Sequence, residues 1–361
     1  MRKLDIQAIE DIALGATVLG TGGGGDPYIG KLMTIQAVEK HGPITLIDAS
    51  DVPDDALVVP SAMMGAPTVM VEKIPSGYEA IEAFNALKNY LGKEVFATIP
   101  IEAGGLNSMT PLALAAQLGL PVVDSDGMGR AFPELQMVTF HLHGVSATPM
   151  VLCDEKGNSV LLETINNHWT ESIARSVTMV MGGVAMIALY PMSGKQVKES
   201  GIHGIVTFSE KLGKTIRESK YSGKNPIENV LELVKGFKLF LGKVIDVSRR
   251  TEGGFARGVA RIEGLDTYKG KPMTLEFQNE HLIAKCGEEV FASVPDLITV
   301  LDTETARPIT TEGLKYGNRV TVIGIPCHEK WRTPKGLETV GPRYFGYDID
   351  YVPVEELTID N

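Results

Sequence analysis

The chain has little cysteine, few aromatic residues, no excess of positive charge and no long apolar run. Its three cysteines, Cys153, Cys286 and Cys327, are scattered over 361 residues with no CxxC pair. An odd count at this density fits a reducing cytoplasm rather than a disulfide framework. Acids outnumber bases 45 to 34, for a net charge of -11. That argues against nucleic acid or an anionic membrane as partner, because both need a basic patch. A small anionic ligand stays open, since it needs only one or two local arginines. The most apolar segment, Val177–Tyr190, is too short to span a bilayer and carries a glycine pair. It is expected to be a buried helix, in the core or at a contact within a homo-oligomer. The N-terminus, MRKLDIQAIEDIA, has acids inside its apolar stretch and no signal-peptide core.

What the chain does have is enough apolar material for a large core, 43% of its residues. At this length two domains are expected, since single cores stop growing near roughly 250–300 residues. Apolar residues at Ile6, Ile9, Ile12, Ala13, Ala16 and Leu19 follow a helical period. Strands are expected at 44–48, 57–60, 94–99 and 122–124, with helices between them, which indicates an α/β layer with a mainly parallel sheet. Further strands are expected at 137–143, 150–153 and 160–165, then a helical block from about 167 to 235. After Phe237 the period shortens and glycine turns recur, the pattern of an all-β barrel or sandwich. The expected organisation is therefore an α/β domain over 1–165, a helical extension packing on it over 166–235, and a β module over 236–330. The aromatic tail, 331–361, is expected to fold back on a domain.

Function concentrates between Pro100 and Leu135. Glu102, Asn107, Asp124, Asp126, Arg130 and Glu134 are interleaved there with five glycines, between two apolar runs. Each such polar group, if buried, needs a partner or costs roughly 1–3 kcal/mol. Open α/β sheets place ligands at such strand ends. Asp124 and Asp126, two apart on an extended backbone, are expected to share a face and to raise one pKa towards neutrality. Helix capping plus a pair with Arg130 is the structural alternative. Arg130 suits a planar carboxylate or imide oxygens, or else pairs with Glu134 at i,i+4.

The run Gly22, Gly23, Gly24, Gly25 is no Walker loop, for no GK[ST] follows, and no dinucleotide fingerprint, because a helix precedes it. Its bare amides, and the helix opened by Asp26 as N-cap and Pro27, are expected to let a ligand approach closely. A tight turn is the alternative. His141 and His143 alternate on an expected strand and are candidates for zinc if a third ligand arrives, with Cys153, His168 and Asp126 as thirds; a core pair is the plainer reading. Cys327 beside His328 is poor geometry for a thiolate–imidazole pair. Asn279 and Glu280 are expected either to reach the site from the β module or to form a solvated turn.

The motifs LGTGGGGDPY, IEAGGLNS, DSDGMGRAFPELQM, EFQNEHL, PDLITVLDTETARPITTEGL and GPRYFGYD together resemble the DUF917 family, described as S-methyl thiohydantoin desulfurase-like and found beside hydantoinase and oxoprolinase components. The resemblance implies an N-terminal α/β domain, a β-containing C-terminal domain and chemistry on hydantoin-type rings. Hydrolytic desulfuration of such a ring needs a base near neutral pKa, donors for a developing anion and a grip on the ring. On this reading Asp126 is the base, tuned by Asp124, with Glu102 beside them. Asn107 and the amides of Gly104 and Gly105 are the donors. Arg130 orients the substrate, with Arg343 as a second anion-binding candidate. No organic cofactor is required. The alternatives are a non-catalytic partner of a hydantoinase or oxoprolinase complex and a metal-dependent ring hydrolase using His141 and His143.

Overall fold

The computed structural model describes residues 1–66, Val69, 76–223 and 225–357. Its N-terminal half is a mixed α/β layer. Strands 2–4, 44–47, 122–123, 97–100, 57–65, 184–188, 150–153 and 159–162 lie side by side in that order, and 192–193 also pairs with 57–65. Pairing is parallel from 44–47 across to 57–65 and antiparallel elsewhere, so the sheet is mixed rather than mainly parallel. The parallel part comes from strand–helix–strand units, in which each crossover needs a helix. The C-terminal half is an antiparallel sheet ordered 289–293, 280–286, 272–278, 255–264, 237–252, 319–325 and 297–302. It curls into a half-barrel over Phe240, Val244, Ile262, Leu275, Val300 and Val322. Register shifts at Val244/Asp246 and Glu276/Phe277 bend it, as bulges do.

The first helix, Ile6–Leu19, is capped by Asp5, whose carboxylate accepts from the Ala8 amide at 2.7 Å. Most of its residues are buried. It crosses the helix Ile205–Ser222 at a point where only glycine fits: a Cβ on Gly15 would lie 1.9 Å from the Ser209 carbonyl, and one on Gly213 1.8 Å from that of Asp11. Asp11 and Arg217 close the crossing with a two-point ion pair at 2.8 and 2.9 Å. The expected cap at Asp26 is present, for its carboxylate accepts from the Tyr28 amide at 2.7 Å and Pro27 opens the helix Pro27–His41.

Three expectations about local structure do not hold. The stretch 166–235 is not helical throughout: the strand Val184–Ala188 inserts between 57–65 and 150–153. Val177–Tyr190 is accordingly not one helix. The helix Asn167–Val180 ends, Gly182 and Gly183 turn at φ 90° and 88°, and the strand follows. A strand buried on both faces reads like a buried helix, so hydrophobicity alone does not separate them. Residues 184–190 are buried, but Val180 is 89% exposed. Third, Met137–His143 is not a strand: Thr139–Leu142 is a short helix, with Phe140 buried against Tyr190. The Thr139 amide and hydroxyl both donate to the Gly127 carbonyl, which draws this turn under the 100–135 loop.

Residues 331–357 return to the body of the protein. Trp331 is fully buried and its Nε1 donates to the Met128 carbonyl at 2.8 Å. Residues 358–361 lie outside the described residues. No described helix is long and apolar enough to cross a membrane.

Candidate functional site

The 100–135 loop leaves the end of the strand Ala97–Pro100 and runs into the seam between the two halves. The glycine loop lies over it. A Cβ on Gly24 would meet Gly104 Cα at 2.5 Å, and one on Gly25 would meet Leu106 Cβ at 2.7 Å. From the other side, a Cβ on Gly22 would lie 2.6 Å from the His281 ring and one on Gly23 2.0 Å from Glu280 Oε1. The glycines therefore serve close packing between chain segments, with Gly24 and Gly25 alone reaching the cavity below. Backbone bonds stitch the loop to the β half: the amides of His281 and Thr311 donate to the carbonyls of Thr21 and Gly22.

This packing brings Glu102, Arg130 and Glu280 into one buried cluster. Asn107 donates through Nδ2 to Glu102 Oε1 at 2.7 Å, and the Phe132 amide donates to Oε2 at 3.3 Å. Asn107 is itself fixed by Met63, whose amide donates to Oδ1 at 2.8 Å. Arg130 is fully buried, and it donates to the carbonyls of Ala131, Pro295 and Asp296 and to the Thr21 hydroxyl, all within 2.7–3.0 Å. Its guanidinium also lies 4.2 Å from the Phe132 ring centroid. Glu280 Oε2 is buried with no hydrogen-bond partner among the described residues. Two buried acids thus share one buried cation.

Burial sets the protonation states. It pushes the Glu102 carboxyl up to about 7, against the pull of Asn107, Phe132 and Arg130. Glu280 is driven well above the usual range, by burial first and by the Glu102 charge second. Burial lowers Arg130 to about 10, so it remains a cation at neutral pH. Of the two acids, Glu102 has the better hydrogen-bonded carboxylate and ionises first. Glu280, facing that charge, keeps its proton. Next to it, burial lowers His281 to about 4. Its Nδ1 lies 3.0 Å from the Ile298 carbonyl, which can only accept, so the neutral ring carries its proton there.

Glu102, Asn107, Gly24, Gly25, Asn279 and Glu280 line a cavity of about 50 Å³, as do Glu134 and Arg175. The expected carboxylate pair does not form. Asp124 lies between two short strands belonging to different sheets, so it and Asp126 do not share a face. The Asp124 carboxylate accepts from the amides of Val206 and Thr207 and from the Thr207 hydroxyl, at the start of the helix Ile205–Ser222. Asp126 is fully buried and accepts from the amides of Met128 and Gly129. Burial raises its carboxyl, and the neighbouring charge that adds to this is Glu102.

The other candidates are placed as follows. The Gly104 amide donates to the Ser108 hydroxyl at 3.1 Å, and Gly105 packs on the Gly25 carbonyl. Asp26 caps its helix. Asn279 is no solvated turn, for its Oδ1 accepts from the Ala256 amide at 2.8 Å, which holds the turn that presents Glu280. Arg343 is outside the cluster, on the surface, paired with Asp348 and Asp350 at 2.9 and 3.0 Å. His141 is bonded to Asn167 at 3.0 Å and packs edge-on to the His168 ring, while His143 ends the short helix. Among the described residues no three His, Cys, Asp or Glu side chains gather as a metal site. Burial raises Cys327 to about 12, which leaves a thiol rather than a nucleophilic thiolate. Sequence reasoning missed Arg175, which pairs with Glu171 at 2.7 Å and donates to the Pro133 carbonyl. An Arg four residues after a Glu on a helix reads as a surface pair, so nothing in the pattern marked it.

No curated protein matches the chain. A crystal structure of a protein from Chromobacterium violaceum superposes with a TM-score of 0.80 at 23% identity, covering 98% of this chain and 100% of that one. This likeness establishes the fold. The N-terminal domain profile of the S-Me-THD-like family matches residues 7–164, and its C-terminal domain profile matches residues 165–354. The chain therefore belongs to the S-Me-THD-like family.

Proposed function

We propose that the chain hydrolyses the exocyclic carbon–sulfur bond of a thiohydantoin-type ring, with Glu102 as general base and Glu280 as general acid. The observation that carries this reading is a pair of buried carboxyls on one cavity, Glu102 held by Asn107 and the Phe132 amide and Glu280 with an unpartnered oxygen, both raised by burial. Environments that push two acids apart are how one site holds a base and an acid at the same pH. The family supports the substrate class.

The ring carbon bearing sulfur is flanked by two nitrogens and is electrophilic. Glu102 takes a proton from water as its oxygen bonds to that carbon. The carbon–sulfur bond then breaks, and Glu280 gives its proton to the departing thiolate. The second water proton ends on the ring nitrogen, so one water is consumed and one thiol and one ring carbonyl are formed. A proton passing from Glu102 to Glu280 resets the pair. Asn107 holds Glu102 in place through a hydrogen bond anchored on the strand at Met63. A cavity of 50 Å³ has room for only a few waters, at roughly 10–15 Å³ each. A ring substrate therefore requires this cavity to widen.

The test is turnover of an S-methyl-thiohydantoin carboxylate by the purified chain, with thiol release and ring opening read separately. Thiol release that Glu102→Gln abolishes in a folded protein supports the reading. Ring opening without thiol release, or wild-type thiol release by Glu102→Gln, overturns it.

A further inference from the structure

A second groove, of about 320 Å³, lies on the outer face of the C-terminal sheet, where Phe345 and Tyr347 of the returning tail fold over the strands. That volume reaches the lower end of small-molecule sites, roughly 300–1,000 Å³. Strand register builds its floor. Arg250 lies directly opposite Arg257, and Arg257 directly opposite Gln278, so three polar side chains form a row on one face. Like charges opposite each other across a sheet repel, and an anion between them would relieve that.

The partners of these groups are unequally supplied. Arg250 pairs with Glu252 at 2.9 Å. Glu276, at the edge of the groove, is held by Lys285 at 2.5 Å and accepts from the Tyr347 hydroxyl at 3.1 Å. Arg257 has no carboxylate partner among the described residues; its guanidinium lies only loosely over the Phe255 ring, at 5.8 Å. Gln278 is only 4% exposed, lines the groove, and its amide has no hydrogen-bond partner among the described residues. The Gln278 amide, on a mostly buried side chain, is left to face the groove, and a guanidinium fork fits a planar carboxylate. Phe277, Leu282 and Phe345 add an apolar wall.

We infer that this groove binds a small organic carboxylate with an apolar body, its carboxylate received by Arg257 and the Gln278 amide. The site is separate from the cavity at Glu102, with no lining residue in common, although Gln278 directly precedes Asn279 and Glu280 in the chain.

Calorimetric titration of the full chain with benzoate, benzamide and inorganic phosphate tests this. Benzoate is expected to bind, and benzamide, which lacks the charge, to bind about tenfold more weakly or worse. Arg257→Gln and Gln278→Leu should each weaken benzoate by about tenfold or more. Arg257 is exposed, so its variant keeps the fold, as thermal unfolding will verify. Absence of benzoate binding to the wild-type chain overturns the proposal, as does unchanged affinity in both variants. Phosphate binding as tightly as benzoate refutes the apolar-body part and reduces the groove to a site for any anion.

Discussion

Two pairs of acids in this molecule met opposite fates. Asp124 and Asp126 are two residues apart, while Glu102 and Glu280 come from different halves of the chain. The near neighbours were drawn to separate tasks: Asp124 to the start of a helix and Asp126 to the amides of its own turn. The distant pair was brought to one cavity, with one buried arginine to balance it. Carboxylates saturated by backbone amides are held as structure. A carboxyl left with an unpartnered oxygen on a cavity is available for chemistry. Proximity in sequence predicted the wrong pair because a strand break between Val123 and Ser125 sends the two aspartates in different directions.

The comparison is tested most severely at the shared cation. Arg130→Met leaves two buried acids without it and several carbonyls without donors, and should cost about 3–5 kcal/mol in denaturant unfolding. A loss under about 1 kcal/mol would mean that the cluster does not need its cation. Next, Glu102→Gln should lower turnover of the thiohydantoin by roughly 10²–10⁴-fold in a folded chain. Asp126→Asn should instead cost about 1–3 kcal/mol of stability, with turnover per folded molecule little changed. If the two variants exchange these outcomes, the roles assigned to the two pairs must be exchanged as well.

The pH dependence sharpens the distinction. With Glu102 at about 7, the acidic limb of kcat/KM should lie near pH 7, the base being lost as it protonates. For stability the sign is fixed by the upward shift. The folded state holds the Glu102 proton more tightly than the unfolded chain does, so this group's contribution is greatest below the unfolded value near 4.5 and falls as pH rises towards 7. A limb near pH 4–5 would instead indicate a carboxylate with no burial shift. The smallest effect is expected at Asp124: Asp124→Ala should cost about 0.5–2 kcal/mol by thermal unfolding, as a lost helix cap does, and leave turnover intact.

How much could be read beforehand varies along the chain. The first helix, the cap at Asp26 and the change to short strands after Phe237 were legible because they depend on local period and local capping. The strand Val184–Ala188 was not, since a strand inserted in the middle of a sheet shows no polar alternation. Glu102, Asn107, Glu280 and the glycine loop stood out as candidates because polar and glycine-rich runs between apolar strands are unusual. Their grouping was only partly legible: Arg175 carried no signal, and Arg343 carried a false one.

Composition and local pattern alone determined that this is a two-part chain with an α/β half and a β half, and marked 100–135 as the main run of candidate polar residues, with 279–280 left open between the site and a solvated turn. Those are consequences of period, capping and the cost of burying polar groups, which any short window expresses. Which acids face one another was decided by the tertiary structure. Glycines at 22–25 let the β half approach the 100–135 loop closely enough to bury Glu280 on Gly23, and Arg130 spans the seam to Pro295 and Asp296. The protonation of Glu102 and Glu280 follows from that burial, and burial is a property of the packed molecule rather than of any segment of its sequence.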